Sequence, residues 1–112
     1  MPHLVVDISA HGFGHLAQTA AVLNALDQQN LRLTIRSKAP LAILRERIHL
    51  PFELIPHQQD KGMIISDALR VDVPKTFAWY QAFHANFAVR VEQAATDLEA
   101  LQVDLLVANV PY

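Results

Sequence analysis

Residues 3–16 read His-Leu-Val-Val-Asp-Ile-Ser-Ala-His-Gly-Phe-Gly-His-Leu, and their order decides the fold. The run His3 to Ser9 is short, β-branched and apolar apart from Asp7. That is the pattern of a strand buried within a parallel sheet rather than of an alternating, half-exposed one. Ala10 to His15 then places two of the chain's three glycines at the junction between this strand and an amphipathic helix. Glycine tolerates positive φ and lets a ligand come close to the backbone. The start of the helix adds N–H groups without intrahelical partners and the positive end of the helix dipole. The junction is therefore the candidate site, shaped for an anionic group.

Outward from it, Leu16, Ala20, Leu23 and Leu26 recur at helical spacing and predict a helix from His15 to about Gln29. Asn30 suits a left-handed C-cap. Leu31 to Ser37 alternates apolar residues with Arg32, Thr34 and Arg36, a second strand. Pro40 opens a short helix from Leu41 to about Ile48, and Phe52 to Pro56 is a third strand. Strand and helix alternate with short connections, which predicts a parallel α/β sheet. His57 to Asp72 has no period and reads as an irregular loop with at most one helical turn. A loop of that length is either functional or disordered, and the residues leave both open. Pro74 to about Gln102 predicts one long helix, on the order of 40 Å if unbroken. Its stripe Phe77, Tyr80, His84, Phe87, Val91, Ala94, Leu98 and Leu101 reads as sheet-facing core, with His84 as a core histidine. Trp79 and Phe83 lie beside the stripe. Asp104 to Val110 is the fourth strand, and the expected fold is a Rossmann-like α/β sheet of order 3-2-1-4 flanked by helices.

Composition narrows the function. With 112 residues the chain is expected to form one domain, burying roughly two-thirds of the surface its unfolded form exposes. It is 52% hydrophobic with a net charge of -2, which argues against nucleic-acid binding, since that calls for a basic footprint. There is no cysteine, so no disulfide scaffold and no thiolate metal site. The first residues lack the charged segment and apolar core of a signal peptide, and no apolar run reaches the length of about 18 residues that spans a bilayer. A cytoplasmic protein is expected, its high apolar content leaving room for peripheral membrane contact or a homo-oligomer.

In a sheet of that order the ligand crevice opens at the carboxyl ends of the first and fourth strands, where the order reverses. Ser9 to His15 and Asn109 to Tyr112 are delivered there. His15 falls in the first helical turn, where the dipole disfavours positive charge on the ring and so favours the form a general base requires. Asp7, a carboxylate in an apolar strand, needs a hydrogen-bonding partner and reads as a structural acid more readily than as a site residue. Gly12-Phe13-Gly14-His15-Leu16-Ala17 also fits the dinucleotide fingerprint with alanine in third place. The second strand ends in Arg36-Ser37 instead of an acid, which suits a 2′-phosphate and keeps an NADP- or nucleotide-binding module as an alternative. A non-catalytic, self-associating fragment is a further one. His11 and His15 lie across a glycine loop with no carboxylate at ligand spacing, so no metal site is expected.

The stretch His11-Gly12-Phe13-Gly14-His15 resembles the loop after the first strand in the N-terminal domain of GT-B glycosyltransferases of the MurG-type group. It is closer to the glycosyltransferase-like region of L-arabinokinases. Asp60-Lys61-Gly62 followed by Asp67-Ala68-Leu69-Arg70-Val71-Asp72 is similar to a second segment of that region, and Asp104 to Pro111 to its fourth strand. The resemblance implies the acceptor-side half of a GT-B fold, a transferase that uses a nucleotide-sugar as co-substrate and needs no other cofactor. The acceptor would be a sugar or a lipid-linked acceptor, and the donor would be held by a C-terminal domain outside a truncated chain. It implies a catalytic role for His15 and acceptor or phosphate contacts from His11, Gly12, Phe13, Gly14, Asn109 and Asp67. Two positions depart from the pattern: Asn109 stands where an aspartate is common, and Gln18 stands near the place of an arginine.

Overall fold

In the computed structural model, which describes residues 1–10, 13–26, 30–57 and 63–109, the first apolar run forms strand β1 (His3–Asp7). It pairs in parallel with β2 (Arg32–Arg36) on one side and with the last strand, β6 (Leu105–Ala108), on the other. Strand β3 (Glu53–Ile55) adds to β2, again in parallel. The order β3-β2-β1-β6 is the predicted one, and the arrangement is a Rossmann-like α/β sheet. Two further strands, β4 (Ile65–Asp67) and β5 (Arg70–Val71), form an antiparallel hairpin outside it. Residues 1–61 with 103–112 make one compact unit and residues 62–102 a second.

In the first unit, helix α1 (Gly14–Asn24) and helix α2 (Leu41–Arg47) join one face of the sheet. Leu16, Ala20 and Leu23 of α1 and Leu44 of α2 share an apolar cluster with Leu4, Val6, Leu33 and Ile35. Burial of these side chains at about 25 cal/mol per Å² of apolar area supplies the main stabilising term. The strand period of two sends the alternate residues to the opposite face, where buried polar side chains flank the fully buried Val5. His3 Nε2 lies 2.7 Å from Thr34 Oγ1. The Arg36 guanidinium donates through Nε and Nη2 to the two oxygens of Asp7, at 2.5 and 2.6 Å. Asp7 thus has the partner that its place in an apolar strand calls for.

Helix α1 ends earlier than its stripe predicts. Asn24 donates from Nδ2 to the carbonyl of Arg47 and accepts from the His49 amide, both at 2.9 Å, which ties the end of α1 to the end of α2. Leu26 lies past the helix and is 38% exposed. Asn30 adopts the left-handed backbone expected of it, φ 67°, but it does not cap α1, whose C-cap is Ala25. Residues 27–29 of the predicted helix lie outside the described residues.

In the second unit, part of the stretch read as an irregular loop forms the β4–β5 hairpin. Asp67 Oδ1 accepts the Leu69 amide at 2.8 Å and closes its turn. Helix α3 (Val73–Ala85) then starts at Asp72, whose Oδ1 accepts the Lys75 amide at 3.0 Å. The single long helix predicted from Pro74 is instead two, α3 and α4 (Phe87–Ala100). Asn86, at φ -115° and ψ 38°, separates them as C-cap of one and N-cap of the other, without a side-chain cap bond to α4. Arg90 spans the break, its guanidinium carbon 3.3 Å from the Phe83 ring centre and its Nη1 donating to the Phe83 carbonyl at 3.1 Å. Neither helix has a buried residue, so the stripe is not the core expected of it. His84 is correspondingly not a core histidine. It is exposed, with ring centres of Tyr80 and Phe87 at 6.2 and 6.1 Å. Among the described residues no helix is long and apolar enough to cross a membrane.

Candidate functional site

The candidate site lies at the carboxyl ends of β1 and β6, where the strand order reverses. His15 is the second residue of α1 and is half-buried. Its Nδ1 lies 3.2 Å from Oδ1 of Asn109, the residue after β6. Asn109 Nδ2 in turn donates to Gln18 Oε1 at 3.1 Å. Positions 15 and 18 share a helix face because residues three apart are neighbours on an α-helix. The result is a chain, His15 to Asn109 to Gln18, that links the start of α1 to the end of β6. An amide oxygen can only accept, so the bond to Asn109 places the proton on Nδ1 and leaves the lone pair of the neutral ring on Nε2.

That assignment is open to direct measurement. In ¹⁵N-detected spectra of the histidine rings, with His15 assigned through a His15→Gln variant, neutral His15 is expected as the Nδ1–H tautomer, the minor form of imidazole in water. Asn109→Leu is expected to return it to the Nε2–H form. An Nε2–H ring in the unaltered chain would remove Asn109 as the group that orients it.

Gly14 adds a second feature. A Cβ built on it meets nothing within 4 Å, and its φ is not in the left-handed range. Among the described residues neither backbone strain nor packing calls for glycine here, which leaves room for something to approach the first turn of α1. Phe13, the N-cap, is 58% exposed and offers no side-chain acceptor to the amides of that turn.

Of the residues singled out in the sequence, Phe13, Gly14, His15 and Asn109 come together here. His11 and Gly12 lie outside the described residues. Asp67 belongs to the second unit, where its carboxylate closes the hairpin turn and faces Arg70 Nε at 3.6 Å. Arg36, the expected contact for a 2′-phosphate, is 4% exposed and holds Asp7 with both arms, so it is not presented to a ligand. Gln18 was not among the expected site residues. Its three-residue offset from His15 is the signal that places it there. Comparison with known proteins brings no match: no family model, curated protein or solved structure is significantly similar to the chain.

Proposed function

We propose that the chain is the acceptor-binding side of a glycosyltransferase that uses a nucleotide-sugar, with His15 as the general base. The observation that carries the reading is the Asn109-oriented imidazole at the head of α1, beside a glycine that nothing among the described residues requires. In the reaction, His15 Nε2 takes the proton of an acceptor hydroxyl as its oxygen bonds to the anomeric carbon. The bond from that carbon to the diphosphate breaks, and the nucleotide leaves with the electron pair. The first-turn amides of α1 suit a phosphate on the acceptor, since N–H groups and dipole both favour negative charge there. In this reading a second domain holds the donor, and the site here binds and deprotonates.

The test is an NMR titration of the ¹⁵N-labelled chain with glucose 1-phosphate, UDP-glucose and NADPH in separate arms. Glucose 1-phosphate is expected to move the amides of Gly14, His15 and Asn109, and Gly14→Val to suppress the response while the remaining spectrum stays in place. Responses to NADPH alone at the same amides would favour the dinucleotide alternative. No response to either sugar compound at millimolar concentration overturns the proposal.

A further inference from the structure

Asn109 meets His15 and Gln18 with opposite ends of one amide. Its Oδ1 lies 3.2 Å from His15 Nδ1, and its Nδ2 donates to Gln18 Oε1 at 3.1 Å. A planar carboxamide has one end that accepts and one that donates. Whichever end faces Gln18, the other faces the ring. An acceptor at position 18 draws Nδ2 of Asn109 toward itself and leaves Oδ1 for a ring that carries its proton on Nδ1. A donor at position 18 draws Oδ1 instead, and the Nδ2 then facing the ring calls for a bare Nδ1, which puts the proton of the neutral ring on Nε2.

Placement makes position 18 the accessible end of this chain of bonds. Gln18 is exposed, whereas His15 and Asn109 are half-buried. A side chain in solvent thus reaches, through one amide, the ring of a partly shielded histidine. The three-residue offset on α1 keeps positions 15 and 18 on one face, both within reach of the residue that follows β6.

We propose that Gln18 is a positioning residue that selects the tautomer of His15 through Asn109. Glutamine makes the selection reversible because it is itself an amide. In the structure it presents its oxygen to Asn109; turned over, it presents its NH2 group. When both amides turn together, the two hydrogen bonds are kept and no charge is added, so the chain of bonds has two settings. In the observed setting Nε2 carries the lone pair and takes up a proton. In the reversed setting Nε2–H donates, which holds an acceptor oxygen without deprotonating it. The consequence for transfer rests on the reading of His15 as the general base. The selection of the tautomer rests on the two hydrogen bonds alone.

Two substitutions at the exposed position remove the choice, since glutamate can only accept and lysine can only donate. In ¹⁵N spectra of the His15 ring, at a pH high enough that it is neutral in each variant, Gln18→Glu is expected to keep the Nδ1–H tautomer. Gln18→Lys is expected to replace that signal with the Nε2–H form. Adding Asn109→Asp to Gln18→Lys is expected to bring Nδ1–H back, because a carboxylate accepts from the lysine and from the ring at once. The double variant keeps the lysine, so it separates relay through residue 109 from the direct field of the new charge. An Nε2–H ring in Gln18→Glu, an unchanged Nδ1–H ring in Gln18→Lys, or an Nε2–H ring that Asn109→Asp does not convert overturns the proposal. None of these results bears on whether Gly14 and His15 respond to a sugar phosphate, so the two readings fail separately.

Discussion

Replacing Arg36 by alanine is expected to destabilise the chain by about 3–5 kcal/mol, the cost of leaving a buried charge without its partner. The side chains of Arg36 and Asp7 are 4 and 12% exposed, and two hydrogen bonds join them. Removing the guanidinium strands the Asp7 carboxylate inside the sheet. For a domain whose total stability is of the order of 5–15 kcal/mol, the midpoint of thermal unfolding should fall by more than about 10 °C. The double variant Asp7→Leu with Arg36→Met removes both charges and should recover most of the loss, since apolar residues of similar volume replace buried ion pairs at little cost. Urea denaturation of the three proteins measures this. A single variant as stable as the parent would mean that the pair contributes nothing. The same geometry weakens the dinucleotide alternative: Arg36 can meet a 2′-phosphate only by releasing Asp7. Any loss of NADPH binding in Arg36→Ala therefore has to be read against the stability of that variant.

The first half of the chain was legible because its local signals agree. A β-branched run, a glycine pair, a helical stripe and a second apolar alternation all point to one alternating α/β sheet, and Asn30 and Pro40 mark its turns. Legibility failed where a contact distant in sequence decides the outcome. Nothing near Asn24 says that its side chain will bridge Arg47 and His49 and hold the end of α1 there. The alternation of β2 suggests a solvated face, but Thr34 and Arg36 are buried because His3 and Asp7 stand beside them. In the second unit, periodicity carried the reading too far. The stripe from Phe77 to Leu101 continues through Asn86, and the spacing of apolar residues is blind to a one-residue break between two helices. The hairpin at residues 65–71 is too short to alternate visibly, and the Asx turn of Asp67 is its clearest mark.

The site was legible in part, and for a different reason. Glycines and a histidine at a strand-to-helix junction mark a place where the backbone is accessible, and topology alone brings the end of the fourth sheet strand beside it. What the spacing could not supply is the role of Asn109. As an amide it accepts from the ring and is itself oriented by Gln18, so it fixes the tautomer of His15 without adding charge to the site. An aspartate in its place would accept the same proton and add a negative charge beside the imidazole, favouring the protonated ring.

The other large effect concerns α2, whose attachment rests on a few contacts. At seven residues it is shorter than the roughly 12–15 at which isolated helices become even marginally stable. Its N-cap, Pro40, makes no side-chain bond, and Leu44, 0% exposed, is its single buried residue. Leu44→Ala is therefore expected to cost about 2–5 kcal/mol, from lost transfer energy and from the cavity left in the cluster. Leu41→Ala, at a position 38% exposed, should cost under about 1 kcal/mol. Native-state hydrogen exchange should show the loss first in residues 41–47, and next at the end of α1, which Asn24 ties to Arg47 and His49. The start of α1 is held by different contacts, among them the bond from His15 to Asn109. In Leu44→Ala, under conditions where the chain remains folded, the Nδ1–H signal of His15 should persist. Loss of that signal together with α2 would show that the imidazole is oriented by the helix layer as a whole and not by the amide at the end of β6.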